Sequence, residues 1–277
     1  MVHFKSYSIS AFAVLFFCSF FHKEGYRYIK NDVFQKGEQI EYLVHYGFLN
    51  AGIANVEVSP KTYVINGRVC YKVDILGRTI GAFSLYRVQD IWRTYIDTAA
   101  FVPHRFYRQL EENNYRRTEI TDFYPLNNTA QMDFEEWGAN DPPTKERRKG
   151  VKKFNTVANV QDIVSGYYYL RMYDFNKMKP GEVITIPGVL EDQIYYLKIR
   201  YKGKEEVTTR FGKMHAHRLV PIMPENQMFS GESSVRFWVS DDKNKIPVRV
   251  EADMFIGKVV VEITNYKNLR HKFNFKK

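Results

Sequence analysis

Apolar and polar residues alternate with a period of two along most of the chain. From Glu38 to Phe48, Ile40, Tyr42, Val44, Tyr46 and Phe48 fall on one face, with Glu41 and His45 on the other. That spacing predicts a half-buried strand, because successive side chains of an extended backbone point to opposite faces. Leu49-Asn50-Ala51-Gly52 is expected to turn the chain. Ala54, Val56 and Val58 then alternate with Asn55, Glu57 and Ser59, and Pro60 is expected to end that strand. The clearest hairpin signal is Tyr63-Val64-Ile65, then Asn66-Gly67, then Val69, Tyr71, Val73 and Ile75. Asn-Gly supplies the two positive-φ residues of a type I′ turn. Further strands are expected at Asp90 to Asp97, Arg105 to Glu111, Tyr115 to Phe123 and Ala130 to Glu136.

The pattern changes between Gly138 and Lys153. Asp141-Pro142-Pro143 cannot continue a sheet, and the basic run from Lys145 to Lys153 reads as a solvated loop, with an anion-binding patch as the alternative. One helix follows, at about 160–175. Val160, Ile163, Val164, Tyr167 and Leu170 recur at helical spacing, and Asp162 sits where a carboxylate suits a helix N-terminus. Strands resume with Tyr195, Leu197, Ile199 and Tyr201, then Val207 and Thr209, then Ala216 to Ile222. Val235 to Val239 and Ile246 to Ala252 flank a turn at Asp241 to Lys245, and Val259, Val261 and Ile263 close the series. Sequential strands with hairpin-length links and one helix predict a mainly β fold: an antiparallel curved sheet or half-barrel around the helix. The expected organisation is a signal peptide or N-terminal membrane segment at 1–23, which would associate the chain with a membrane if retained, a linker at 24–33 and one β-rich domain at 34–277, with 138–158 as the place where two sheets would divide.

Composition sharpens this picture. Aromatics make up 16% of the chain, with 20 Tyr, 21 Phe and 3 Trp, which favours strands. Forty-one Lys and Arg against 31 Asp and Glu give a net charge of +10, compatible with nucleic acid, an anionic membrane or an acidic glycan. The N-terminus narrows that choice. Lys5 precedes Ser6 to Phe21, a stretch without charge whose unbroken apolar part, Ala11 to Phe17, is shorter than the ~20 residues of a membrane-spanning helix. This is the layout of a secretory signal, so the expected location is the periplasm or cell envelope, and nucleic acid is disfavoured as a partner. Leu15-Phe16-Phe17-Cys18 resembles a lipoprotein signal, but Phe17 occupies the position before the Cys that wants a small residue. Cys70 is then left alone, and is expected to be a half-buried, structurally minor strand residue with no disulfide or zinc role.

The search for catalytic chemistry returns negatives. The phosphate-binding, dinucleotide-binding, nucleophile-elbow and zinc-protease motifs are all missing from the sequence. His215 and His217 lie on one face of an expected strand but lack an identifiable third ligand, so they read as ordinary strand histidines. The acidic pairs Glu111-Glu112, Glu135-Glu136 and Asp241-Asp242 evoke glycosidases, yet neighbours on a strand face opposite ways, and a solvated edge is the simpler reading. No catalytic residue, metal or cofactor is therefore expected.

Three stretches carry a family resemblance. Asp162-Ile163-Val164-Ser165-Gly166-Tyr167-Tyr168-Tyr169-Leu170-Arg171, the early Tyr46-Gly47-Phe48-Leu49-Asn50-Ala51-Gly52, and the late Phe237-Trp238-Val239-Ser240-Asp241 with Ile246-Pro247-Val248-Arg249 are similar to an uncharacterised bacterial envelope family, domain-of-unknown-function family 3108. The resemblance covers roughly residues 34 to 266 and implies an exported protein with no transferable catalytic residue. The final strand-turn-strand also resembles the lipoprotein-carrier half-barrels, whose curved sheets hold acyl chains.

Together these readings predict a non-catalytic envelope protein that holds a lipid-like or other apolar ligand in its curved sheet. Tyr42, Tyr46, Tyr71, Tyr167, Arg171, Phe237 and Trp238 are the candidate ligand contacts. Arg171 would meet an anionic head group or form a structural ion pair. The alternatives are an interaction or scaffold module with a filled core, binding an envelope protein or glycan, and a glycan-active enzyme using paired carboxylates.

Overall fold

The computed structural model describes residues 25–142, 144–222, 234–254 and 257–275, and the expected signal at 1–23 lies outside them. Eight strands come first: β1 (Gln39–Tyr46), β2 (Leu49–Ile65), β3 (Arg68–Thr79), β4 (Gln89–Asp97), β5 (Pro103–Glu112), β6 (Tyr115–Tyr124), β7 (Thr129–Trp137) and β8 (Arg148–Asn155). Helix α1 (Ile163–Leu170) follows, then β9 (Val183–Leu190), β10 (Gln193–Thr209), β11 (Gly212–Pro221), β12 (Val235–Ser240), β13 (Pro247–Asp253) and β14 (Lys258–Lys267). All fourteen strands of the described residues belong to one antiparallel sheet, in which every pair of sequence neighbours except β8 and β9 is hydrogen-bonded. The first strand pairs with the last, Tyr42 opposite Ile263 and Val44 opposite Val261, and β8 and β9 are left as the two edges.

The sheet is rolled but does not close. Its β9–β10 turn reaches the inner face of the opposite wing, where Glu191 meets Arg108 of β5 at 3.3 Å and Asp192 meets Lys152 of β8 at 2.9 Å. The segment before α1 bridges the remaining gap: the Thr156 N–H donates to the Asn128 carbonyl, and Gln161 exchanges backbone hydrogen bonds with Pro187 and Val189 on the β9 edge. Residues 25–34 run along the β4–β5 connection, where the Arg27 guanidinium donates to the carbonyls of Ala100 and Phe101.

Expected strands and turns are largely found, with specific corrections. Asn66 and Gly67 have φ of 51° and 71° and form the predicted turn. The first hairpin, however, turns at Gly47-Phe48, two residues earlier than expected, so Phe48 is exposed instead of lying on the apolar face. Pro60 does not end β2. The strand shifts register between Val58 and Thr62, which lets the ring sit where no ladder hydrogen bond is required. The basic run is not wholly loop: Arg148–Asn155 is β8, an edge strand on which Lys149 and Lys153 are exposed while Lys152 meets Asp192. β9 was not expected at all, because Pro187-Gly188 reads as a break, although a Pro is tolerated on an edge.

The helix spans eight residues, not the expected 160–175. Its start is well specified: Asp162 accepts from the Val164 and Ser165 N–H groups, and the Ser165 hydroxyl accepts from the Asp162 N–H, a reciprocal capping box. It stops because Phe175, within a separate single-turn helix, must enter the core. Val69, expected on the apolar face, is exposed, and Cys70, expected to be half-buried, is fully buried. Burial pushes the Cys70 thiol up to about 12, so it stays protonated and unreactive.

Candidate functional site

Helix α1 has two working faces. Val164, Tyr168 and Arg171, at i, i+4 and i+7, point into the core, where Tyr168 packs edge-on against Phe34 at 4.6 Å. Ile163, Gly166, Tyr167 and Leu170 point the other way and form one wall of a groove of about 500 Å³. The opposite wall is Ile186, Gly188 and Leu190 of β9 with Tyr195, Leu197 and Ile199 of β10, and Pro221 and Phe237 continue it on β11 and β12. The size falls within the range typical of small-molecule sites. Apart from Gln161 and Asp162 at the start of α1, the walls are hydrocarbon and ring, and no lysine or arginine lines them.

The groove has a closed end and an open end. Ile199 and Ile186 are buried at its floor, against Leu170, Phe175 and Leu219. Toward the β9–β10 turn the wall emerges: Leu197 is 43% exposed, Leu190 45% and Tyr195 54%, with Ile163 49% exposed on the facing helix. Gly166 is set on the groove face of α1, and a Cβ there would meet only the Gln161 Cβ, at 3.6 Å.

Behind the helix lies the principal buried charge. Arg171 donates to both carboxylate oxygens of Glu38, at 2.6 and 3.0 Å, and its Nε donates to the Asn244 carbonyl. Both side chains are essentially inaccessible, and the Tyr168 hydroxyl adds a third contact to Glu38 at 3.2 Å. Pairing with Glu38 outweighs burial and raises the Arg171 pKa further. Asp162, at the groove's edge, is fully enclosed; burial raises its carboxyl to about 6 despite hydrogen bonds from the helix N-terminus and from the Thr94 hydroxyl at 2.6 Å.

The seven expected contacts divide. Tyr167 and Phe237 line the groove. Tyr42 lies beneath, its hydroxyl 3.2 Å from that of Tyr167. Arg171 forms the structural ion pair just described. Tyr71 packs on Phe34 at 5.2 Å, and Tyr46 packs on Phe83 at 5.9 Å at the end of β1. Trp238 points to the opposite face from Phe237, where its indole N–H donates to Glu205. The residues missed were Ile163, Gly166, Leu190, Tyr195 and Pro221. The available signal was the apolar stripe Ile163–Tyr167–Leu170, read in the sequence as a core face.

The histidines also separate. His217 is buried, its Nε2 3.0 Å from Asp241 and its Nδ1 3.0 Å from the Tyr201 hydroxyl, and burial lowers its pKa, while His215, two residues earlier on the same face of β11, is exposed. Among the described residues no three metal-ligating side chains converge, and no helix is long and apolar enough to cross a membrane.

Comparison with known proteins gives a family and a fold. A family model described as a protein of unknown function, DUF3108, matches residues 41–264. No curated protein is similar in sequence. A β-barrel-like protein of domain-of-unknown-function family 1849 from Brucella abortus is similar in structure, with a TM-score of 0.54 at 9% identity, covering 85% of this chain and 99% of its own. Two others align with much lower scores. One, from Bacteroides fragilis, is described as a candidate exported protein with a YmcC-like fold (TM-score 0.31, 10% identity, 88% and 100% coverage). The other, from Parabacteroides distasonis, is described as a candidate lipoprotein (TM-score 0.28, 10% identity, 88% and 100% coverage).

Proposed function

The chain belongs to the DUF3108 family, and we propose that this member is a non-catalytic binding protein of the cell envelope that holds an apolar, lipid-like ligand between α1 and the β9–β12 wing. The observation that carries this reading is the groove itself. Its walls leave Ile163, Leu190, Tyr195 and Leu197 partly exposed around about 500 Å³ of space. Contiguous uncovered apolar surface is costly in water and marks a place where something binds. A saturated chain lying along these walls would bury roughly 0.8 kcal/mol worth of surface per methylene. The bare walls favour entry of a hydrocarbon tail, with any polar head group left outside. The envelope setting rests on the signal-like residues 1–23 and on the family resemblance.

The test is saturable binding of a fluorescent fatty-acid probe, compared with a variant that fills the groove. Gly166→Leu places a good helix former on the groove face without crowding the backbone. The folded variant should lose probe binding by at least about tenfold, the effect of excluding a few methylenes. Unchanged affinity in Gly166→Leu, or no saturable binding by the wild type, would end this reading.

A further inference from the structure

A second apolar surface lies away from the groove, on one rim of the sheet. Antiparallel strands deliver alternate connections to opposite rims, so the β1–β2, β3–β4, β9–β10 and β13–β14 turns share one rim and the Asn66-Gly67 turn belongs to the other. On the shared rim, Phe48 is 92% exposed and Leu85 95%, with Tyr86 at 57% beside them. Single exposed leucines are ordinary. Here, however, adjoining connections carry bulky apolar side chains on their tips, and the backbone holds those tips in place. The Ile80 N–H donates to the Ala51 carbonyl, joining the β3–β4 connection to β2, and the Gly47 N–H donates to the Lys258 carbonyl, joining the first turn to β14. Tyr46 and Phe83 pack together at 5.9 Å beneath the tips.

We propose that this rim docks on a lipid bilayer, with Phe48, Leu85 and Tyr86 entering the headgroup–acyl boundary. Phe48 and Leu85 stand almost wholly clear of the fold, which suits a deformable lipid interface better than a peptide needing a groove. Phe and Leu bury in the acyl region, while Tyr prefers the boundary because its ring is apolar and its hydroxyl polar. Arg78 and Arg87 are exposed at the ends of the same connection, where long cationic side chains can reach phosphate while their stems lie along apolar surface. The docking itself does not depend on what fills the groove.

Site-specific quenching tests it in the full chain. With Cys18→Ser, and Cys70 protected by burial, a fluorophore is attached at Leu85→Cys, or at Val64→Cys on the opposite rim, which is 69% exposed. Vesicles of phosphatidylcholine and phosphatidylglycerol carry a lipid-borne nitroxide quencher. The label at 85 should be quenched and the label at 64 should not, even if residues 1–23 also tether the chain. Adding Phe48→Ser and Tyr86→Ser should reduce vesicle-dependent quenching at 85 about tenfold, since each side chain loses its buried area. Equal quenching at both rims, none at 85, or shielding of 85 by a protein with no lipid quenching would overturn the proposal. Quenching at 85 that persists in Gly166→Leu, alongside failed probe binding in the wild type, would sink the groove reading and leave docking standing.

Discussion

The two wings of the sheet treat the same level of their inner faces in opposite ways. On β4 to β7 that level reads Trp92, Arg108, Glu119 and Phe134, residues directly opposite one another in the ladders. Glu119, 1% exposed, accepts from Arg108 at 2.7 Å and from Arg117 at 3.2 Å, and Arg117 stacks over the Phe134 ring at 5.0 Å. This inner face pairs its buried carboxylate with two arginines, and Arg108 is also met by Glu191 from the other wing, while the Trp92 Nε1 and the Arg108 Nε have no partner among the described residues. On β9, β10 and β12, the corresponding surface is Leu190, Tyr195, Leu197 and Phe237, which have only the helix opposite and remain partly open. A charged network completed within the chain needs no further partner. An apolar wall facing open space does. That contrast, more than the abundance of aromatic residues, is why the proposed ligand is assigned to the second wing.

The largest effect is expected at the charge pair that anchors the helix between the wings. Glu38→Ala leaves Arg171 buried without its carboxylate and should cost about 3–5 kcal/mol in denaturant unfolding. A loss under 1 kcal/mol would mean that water reaches this pair. The next test is directed at the charged wing alone. Glu119→Ala removes the carboxylate shared by two buried arginines, leaving Arg108 with Glu191 and Arg117 with Glu136, and should cost about 3 kcal/mol, whereas Leu197→Ser, on the half-open wall, should cost under about 1 kcal/mol while weakening probe binding. Equal destabilisation by the two would erase the distinction between the wings.

The smallest effect is a pH dependence at Asp162. Its folded carboxyl titrates near 6, above its unfolded value, so the folded state binds the proton more tightly. Stability from this group therefore rises as pH falls from about 6.5 to 4.5, by about 2 kcal/mol relative to Asp162→Asn, which keeps a capping side chain without the titration. Glu251 acts in the opposite sense. Its carboxylate, held at about 2 by Lys258, Arg249 and Arg236 despite burial, contributes stability above the usual Glu value that is lost as pH falls through 2. The variant-minus-wild-type difference isolates Asp162. A flat difference between pH 6.5 and 4.5 would show that the helix N-terminus keeps the carboxylate charged.

Much of the architecture was legible in the residues. Period-two alternation located twelve of the fourteen strands, Asn66-Gly67 identified its turn, and Asp162 marked the start of the helix. The two missed strands are the two edges, β8 and β9. Edge strands lack a partner on one side, so they tolerate the lysines and the Pro-Gly pair that elsewhere signal a loop. The site was harder to see. Its walls come from 163–170, 186–199, 221 and 237, and they meet only because the sheet rolls, a property spread over many strand twists. Large aromatics looked like ligand contacts, yet Tyr42, Tyr71 and Trp238 pack internally, because an aromatic ring fills a core as readily as it lines a pocket. Ile163 carried no such prominence, and its role depends wholly on what stands across from it.

The pairing of β1 with β14 has a kinetic consequence. Residues 39–46 lie at the centre of the sheet, and their outer partner is 258–267, more than two hundred positions later in the chain. Local hairpins on either side can form early, but joining them closes the longest loop in the molecule, and folding slows as contacts become more distant in sequence. The central seam cannot form until β14 has been synthesised. Until then the β1–β8 ladder and the β9–β13 ladder are complete in themselves but unjoined.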